Sequence, residues 1–306
     1  MILPNRLYKG DTVGIIAPAS PPNREQLERG IAILRQQGLH IKLGKHISSV
    51  YGYLAGTDAE RLEDLHMMFQ DTSVKAIICA CGGYGTARLV DGIDIQLIRQ
   101  NPKIFWGYSD ITYLHTAIRQ RANLVTFHGP MVASDIGKEN FDALSEQMFC
   151  QLFTPTNIVY NEAISPLQTM SEGEATGALV GGNLTLLTST LGTEYEIETK
   201  AKLLLIEDVG EDPYRVDAML NQLRLAGKLH DAAGIVIGSF TKVEPPTNKP
   251  SFDLDQVLTD YMEPLHIPVM KGFNIGHCMP NIGVPLGVTA NLSSKTKTLT
   301  IHPAVK

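Results

Sequence analysis

Four cysteines, one tryptophan and no apolar run long enough to cross a bilayer are the sequence's scarcities, and each excludes something. Cys79, Cys81, Cys150 and Cys278 are too few and too scattered to frame a chain of 306 residues with disulfides. No CxxC pair offers a structural zinc site, so free thiols and no metal are expected. The apolar stretch Val13–Ala17 ends at Pro18 and is too short for the core of a signal peptide, so a cytoplasmic protein with no membrane partner is expected. Twenty-six Lys and Arg stand against 32 Asp and Glu, a formal charge of -6, and no segment gathers the bases into a stripe that would track a phosphate backbone. Nucleic acid is not an expected partner. What remains, 43% hydrophobic with 27 Gly and 17 Pro, is ordinary globular composition at a length that suits two domains.

The first 130 or so residues alternate β-branched runs with amphipathic stretches. Residues 12–17, 39–43, 74–80, 103–108 and 124–128 read as strands. Between them, 25–37 reads as a helix stopped by Gly38, and Thr57-Asp58-Ala59-Glu60 has the spacing of a capping box opening another. Helices are also expected around 95–99 and over 110–121. This alternation predicts a doubly wound, mainly parallel α/β layer over 1–135, with sites at the carboxyl ends of its strands. Residues 136–170 lose the periodicity and read as a linker. A second, mixed α/β domain is expected over 171–306, with a helix opening at Gly181-Gly182-Asn183, strands at 202–206, 234–240 and 269–275, helices at 213–223 and 253–265, and a closing hairpin around Ser293-Ser294-Lys295.

Several chemistry-bearing residues stand just past strand ends. Ser109, in Gly107-Tyr108-Ser109-Asp110-Ile111, occupies a strand-to-helix turn where its hydroxyl could stand above the sheet, or could cap the helix. Ile111 replaces the second glycine of the hydrolase GxSxG elbow. Gly82-Gly83-Tyr84-Gly85 leaves backbone N–H groups open for an anion, but Arg88 stands where a dinucleotide fingerprint needs a third glycine. Glu207 and Asp208 end an apolar strand, and either carboxylate could orient an imidazole. His277 lies in the irregular Gly276-His277-Cys278 segment. Ser, acid and His in that order form one known triad sequence. His128 is a rival base and Cys81 a rival nucleophile, the latter disfavoured by its apolar strand end; His115 reads as packed or solvent-facing.

These motifs resemble the LD-carboxypeptidase family of serine peptidases, which includes murein tetrapeptide carboxypeptidases and microcin C self-immunity hydrolases. The likeness spans nearly the whole chain, through 10–20, the 82–85 loop, 107–110, 181–184, 205–208 with Tyr214-Arg215, and Gly276-His277. The resemblance implies Ser109 as nucleophile, His277 as general base and then acid, and Glu207 as the carboxylate orienting it. It also implies an oxyanion hole from backbone N–H groups of Asp110 and the Gly82-Gly83 turn. A triad assembled in the cleft between an N-terminal α/β domain and a mixed C-terminal domain, a homodimer, and no metal or organic cofactor are implied as well. The expected activity is removal of C-terminal D-alanine from murein tetrapeptides. Arg88 reads either as a grip for the free C-terminal carboxylate or as a packing arginine. The alternatives are a microcin C-like peptide–nucleotide hydrolase, for which Trp106 inside a strand is poorly placed to stack a base, and a noncatalytic two-lobed binder of a small ligand.

Overall fold

The computed structural model describes residues 1–306, which divide into two compact units. The first comprises 1–156, 279–287 and 303–306. Its chain runs β1 (Thr12–Ile16), α1 (Arg24–Gln36), β2 (His40–Leu43), α2 (Asp58–Gln70), β3 (Val74–Cys79), α3 (Ile95–Gln100), β4 (Ile104–Gly107), α4 (Thr112–Ala117), β5 (Thr126–His128) and α5 (Ala143–Gln147). The strands β2, β1, β3, β4 and β5 are neighbours in that order and all parallel. The order reverses between β1 and β3, so the loops leaving those two strands border the crevice where doubly wound sheets bind ligands. The capping box forms: Thr57 N–H donates to Glu60 Oε2 at 2.7 Å and Glu60 N–H to Thr57 Oγ1 at 3.3 Å, a device that stabilises a helix start by about 1 kcal/mol. β3 and β4 are buried almost throughout, as strands covered on both faces must be.

The single helix expected over 110–121 is three pieces: a 3-10 turn at Ser109–Ile111, α4, and a π turn at Ile118–Ala122 that stops at Asn123 in the left-handed conformation.

The second unit comprises 157–278 and 288–302. It contains β6 (Ile158–Tyr160), β7 (Gln168–Ser171), β8 (Glu174–Asn183), α6 (Leu184–Ser189), β9 (Leu203–Val209), α7 (Pro213–Leu225), α8 (Lys228–Asp231), β10 (Gly234–Thr241), α9 (Leu254–Met262) and β11 (Val269–Lys271). After β12 (Val284–Leu286), which pairs antiparallel with β5 of the first unit's sheet, β13 (Thr289–Ser293) and β14 (Thr298–Ile301) complete it. Its eight strands run β6-β14-β13-β8-β9-β10-β11-β7, with β8 to β11 parallel and the flanks antiparallel. The core joins Leu204, Ile206, Ile235 and Ile237 of the central strands to Val216, Leu220 and Leu223 of α7. No helix of the chain is long and apolar enough to cross a membrane.

The domain limits expected from periodicity differ from these units. Residues 136–156 stay with the first unit, 157–170 already form the second, and 279–287 and 303–306 return to the first. The segment read as a linker therefore carries α5, β6 and β7. Pairings such as β12 with β5 join residues more than 150 positions apart, which local periodicity does not encode. Gly181 and Gly182, read as a helix start, are instead strand residues of β8, which ends at Asn183, the cap of α6. A Cβ on Gly181, whose φ is +123°, would lie 2.0 Å from Leu205 O, so the strand needs glycine where the β9 backbone approaches.

Candidate active site

In the first unit, β4 delivers the chain through extended Tyr108 to Ser109, whose φ of +64° is left-handed. A non-glycine residue there costs of order 1 kcal/mol and persists only when its surroundings hold it. Two buried groups do so. The Tyr108 hydroxyl donates to Asp135 Oδ1 at 3.0 Å, while Asp135 Oδ2 accepts from Met131 N–H and Ser134 Oγ. Asp110, buried directly after the serine, accepts from Thr86 N–H at 2.9 Å, and its carbonyl accepts from Thr86 Oγ1 at 2.6 Å. Burial raises the Asp110 carboxyl, opposed by these hydrogen bonds. The Asp110 side chain is thus a strut between the serine turn and the glycine loop.

That loop lies against the serine. A Cβ built on Gly82 would stand 3.0 Å from Ser109 Cβ and 3.1 Å from its Oγ. Gly83 has φ +112°, and a Cβ there would strike Ser20 Oγ at 2.2 Å, so only glycine passes. Ser20 ties the loop at both ends, its N–H donating to Gly82 O at 3.2 Å and its Oγ accepting from Tyr84 N–H at 3.2 Å. Below, buried Arg61 donates to Pro18 O at 2.6 Å and to Gly85 O at 3.0 Å. In the turn at Ser109–Ile111, Ile111 N–H donates to Tyr108 O at 3.3 Å. Asp135, Thr86, Ser20 and Arg61 escape sequence reading because their partners are distant in sequence; only the glycines beside Ser20 hint at close approach.

In the second unit, Glu207 of β9 is fully buried and its Oε2 accepts from His277 Nδ1 at 2.7 Å. Burial raises the Glu207 carboxyl, and the imidazole's hydrogen bond and charge oppose the rise. With the proton held on Nδ1, Nε2 is the basic nitrogen. Thr241 Oγ1 donates to His277 O at 2.9 Å and fixes the segment. Asp208 serves the fold instead, its Oδ1 accepting from Asn183 Nδ2 and its Oδ2 from Thr185 N–H and Oγ1, all at 2.9 Å. Successive strand residues face opposite ways, so one carboxylate of the pair meets the imidazole while the other secures the start of α6.

Gly276 makes the Glu207–His277 contact possible, because with φ +112° a Cβ there would lie 2.3 Å from Glu207 Oε2. Gly276→Ala is expected to lower kcat/KM about 100-fold or more by displacing the pair, with the fold retained. Steady-state kinetics beside a thermal melt checks this.

The rival residues are engaged in other contacts. His128 is fully buried, ring edge against Tyr108 with centroids 5.6 Å apart. The half-buried Cys81 thiol donates to Ser20 O at 3.0 Å, and burial pushes it up to about 12, far from a thiolate. Trp106 is buried between Phe127 and Phe149, its Nε1 donating to Pro130 O at 2.7 Å. Arg88 is half-exposed and paired with Asp58, Nε to Oδ1 at 2.9 Å and Nη2 to Oδ2 at 2.8 Å.

His115 is packed in α4, its Nε2 hydrogen-bonded to Gly107 O at 2.8 Å beneath the serine turn, and desolvation lowers it to about 4. Between that value and the unfolded value of ~6.5, the unfolded chain binds a proton that the folded chain refuses. Stability is therefore full above about pH 6.5 and falls as pH drops toward 4. His115→Gln, which keeps a donor for Gly107 O, should remove about 2–3 kcal/mol of the stability difference between pH 7 and pH 4.5 seen in urea unfolding of the parent.

Comparison with known proteins gives the family. The LD-carboxypeptidase N-terminal domain matches residues 13–129 and the LD-carboxypeptidase C-terminal domain residues 176–292. A Bacillus subtilis protein described as a probable murein peptide carboxypeptidase is 54% identical over 302 residues, 99% of this chain and 95% of its own. The crystal structure of muramoyltetrapeptide carboxypeptidase from Oxalobacter formigenes superposes with a TM-score of 0.87 at 28% identity, covering 96% of this chain and 100% of that one. The Escherichia coli microcin C7 self-immunity protein MccF is 26% identical over 325 residues, 96% of this chain and 94% of its own.

Proposed function

This chain belongs to the LD-carboxypeptidase family, and from that premise we propose that it is a murein tetrapeptide carboxypeptidase that releases C-terminal D-alanine by serine chemistry. Ser109 Oγ attacks the scissile carbonyl while His277 Nε2 takes its proton. The oxyanion draws on the N–H groups of Asp110 and of the Gly82-Gly83 turn. His277 then returns the proton to the departing amine, and water, activated by the same imidazole, hydrolyses the acyl-enzyme. Glu207 keeps the imidazole oriented and balances its charge when protonated.

The observation that carries the substrate assignment is the near full-length similarity to the Bacillus subtilis murein peptide carboxypeptidase. The chemistry is supported within each unit separately: by the left-handed Ser109 beside a glycine loop, and by the Glu207–His277 hydrogen bond. A small, soluble wall peptide as substrate fits a cytoplasmic recycling enzyme, and we propose a homodimer by analogy with the family. Trp106 is buried and offers no base-stacking surface to a peptide–nucleotide substrate.

Mass spectrometry of products from murein tetrapeptides ending in D-Ala or L-Ala, with a peptide–nucleotide conjugate alongside, tests the reading. Loss of alanine from the D-terminated peptide alone is expected. Cleavage of the conjugate with both peptides left intact would overturn it.

A further inference from the structure

The oxyanion donors named above come from two loops, the Asp110 N–H from the turn after β4 and the Gly82-Gly83 N–H groups from the loop after β3. Donors on separate loops serve a transition state only while their spacing holds to about 0.5 Å. The glycine loop is poorly equipped to hold it alone. Gly83 and Gly85 sit at φ +112° and +123°, and glycine has more backbone freedom to lose than any other residue.

Two buried side chains supply the missing rigidity. Arg61 of α2, bonded to Pro18 O and Gly85 O, ties the loop to the chain after β1, and a Cβ on Gly85 would lie 2.4 Å from Leu54 Cδ2, so the loop is pressed onto this base. Thr86, fully buried at the end of the loop, ties it to the serine turn. Its Oγ1 donates to Asp110 O at 2.6 Å and its N–H to Asp110 Oδ2 at 2.9 Å, so one residue grips both the main chain and the side chain of the residue after the nucleophile. The N–H groups of Thr86 and Gly85 and the Arg61 charge all favour the ionised Asp110 carboxyl against its burial. Valine has the shape of threonine without the donor, so the hydroxyl and not the volume is what the Asp110 carbonyl requires of position 86.

We propose that Thr86 is a positioning residue for the reaction, setting the distance between the Asp110 N–H on one loop and the Gly82-Gly83 N–H groups on the other. Its hydroxyl touches no substrate and acts through the Asp110 main chain. This rests on the serine peptidase reading and its oxyanion hole.

The test is steady-state kinetics on a D-alanine-terminated tetrapeptide for the parent, Thr86→Val, Thr86→Ala and Thr86→Ser, with thermal melts alongside. Removing a whole oxyanion donor costs about 10²–10³ in kcat, so a displaced one should cost Thr86→Val about 10–100-fold. KM should stay within about threefold, because the hole is engaged fully only as charge develops on the carbonyl oxygen. Thr86→Ser keeps the hydroxyl and loses the methyl, so it should keep kcat within about threefold of the parent while melting below it. Thr86→Ala differs from it by the hydroxyl alone and should be as slow as Thr86→Val, which keeps the comparison open should valine not fold. The inhibition constant of the matching tripeptide aldehyde, whose tetrahedral adduct with Ser109 places its oxygen in the hole, should rise in the slow variants by about the factor that kcat falls. Parental kcat without the hydroxyl, a loss confined to KM, a Thr86→Ser as slow as Thr86→Ala, or an unchanged aldehyde constant would overturn the positioning role. A parent enzyme that leaves the tetrapeptide intact would instead overturn the peptidase reading itself.

Discussion

Ser109→Ala should lower kcat by about 10⁵–10⁶-fold on a D-alanine-terminated tetrapeptide, the scale seen when the nucleophile of a working triad is removed. The fold should survive, because the turn is held by neighbours: Tyr108 on Asp135, and Asp110 on Thr86. A second substitution separates the chemical role from the structural one. At φ +64° any L-residue is strained and glycine is not, so Ser109→Gly should be equally inactive yet more stable than the parent by up to ~1 kcal/mol. Urea unfolding of the three proteins checks this. A serine serving only as a helix cap would give a modest effect on turnover, and its removal would cost stability rather than add it.

Glu207→Gln should lower kcat by about 10⁴-fold with little change in melting temperature. The amide fits the same buried site, but it removes the charge that stabilises the imidazolium and offers an N–H that favours the wrong imidazole tautomer. Asp208→Asn is the matched control one residue along β9. It weakens acceptors for Thr185 N–H and Oγ1 at the start of α6, so it should cost roughly 1–3 kcal/mol of stability and leave kcat within an order of magnitude. Reversed outcomes for the two carboxylates would exchange their roles.

What could be read in the sequence follows from how local the signal was. The strand over Val74–Cys79 and the capping box at Thr57 are spelled by adjacent residues, and both were legible. So was Ser109 as a residue leaving a strand for a helical turn, because an apolar run followed by Ser-Asp announces it. Local pattern left the choice between Glu207 and Asp208 open, and only the family resemblance picked Glu207: the choice depends on which face of β9 meets residue 277, seventy positions later. The struts of the serine turn were hidden for the same reason. Asp135, Thr86 and Arg61 each act on backbone or side chains that only the folded sheet brings near. Gly181-Gly182 misled because glycine pairs mark turns and caps more often than a strand pressed against a neighbour's carbonyl. The return of β12 to the first sheet left no local trace at all, which is why the domain limits moved.

The most direct test of the chemistry is the rate at which a fluorophosphonate labels the protein, with the modified residue located by peptide mass spectrometry, in the parent and in His277→Ala. The parent should label at Ser109 alone, and His277→Ala should label at least 10³-fold more slowly with its melt unchanged. Labelling of His277→Ala at the parental rate, or a label carried by a residue other than Ser109, would mean that the imidazole does not activate that hydroxyl.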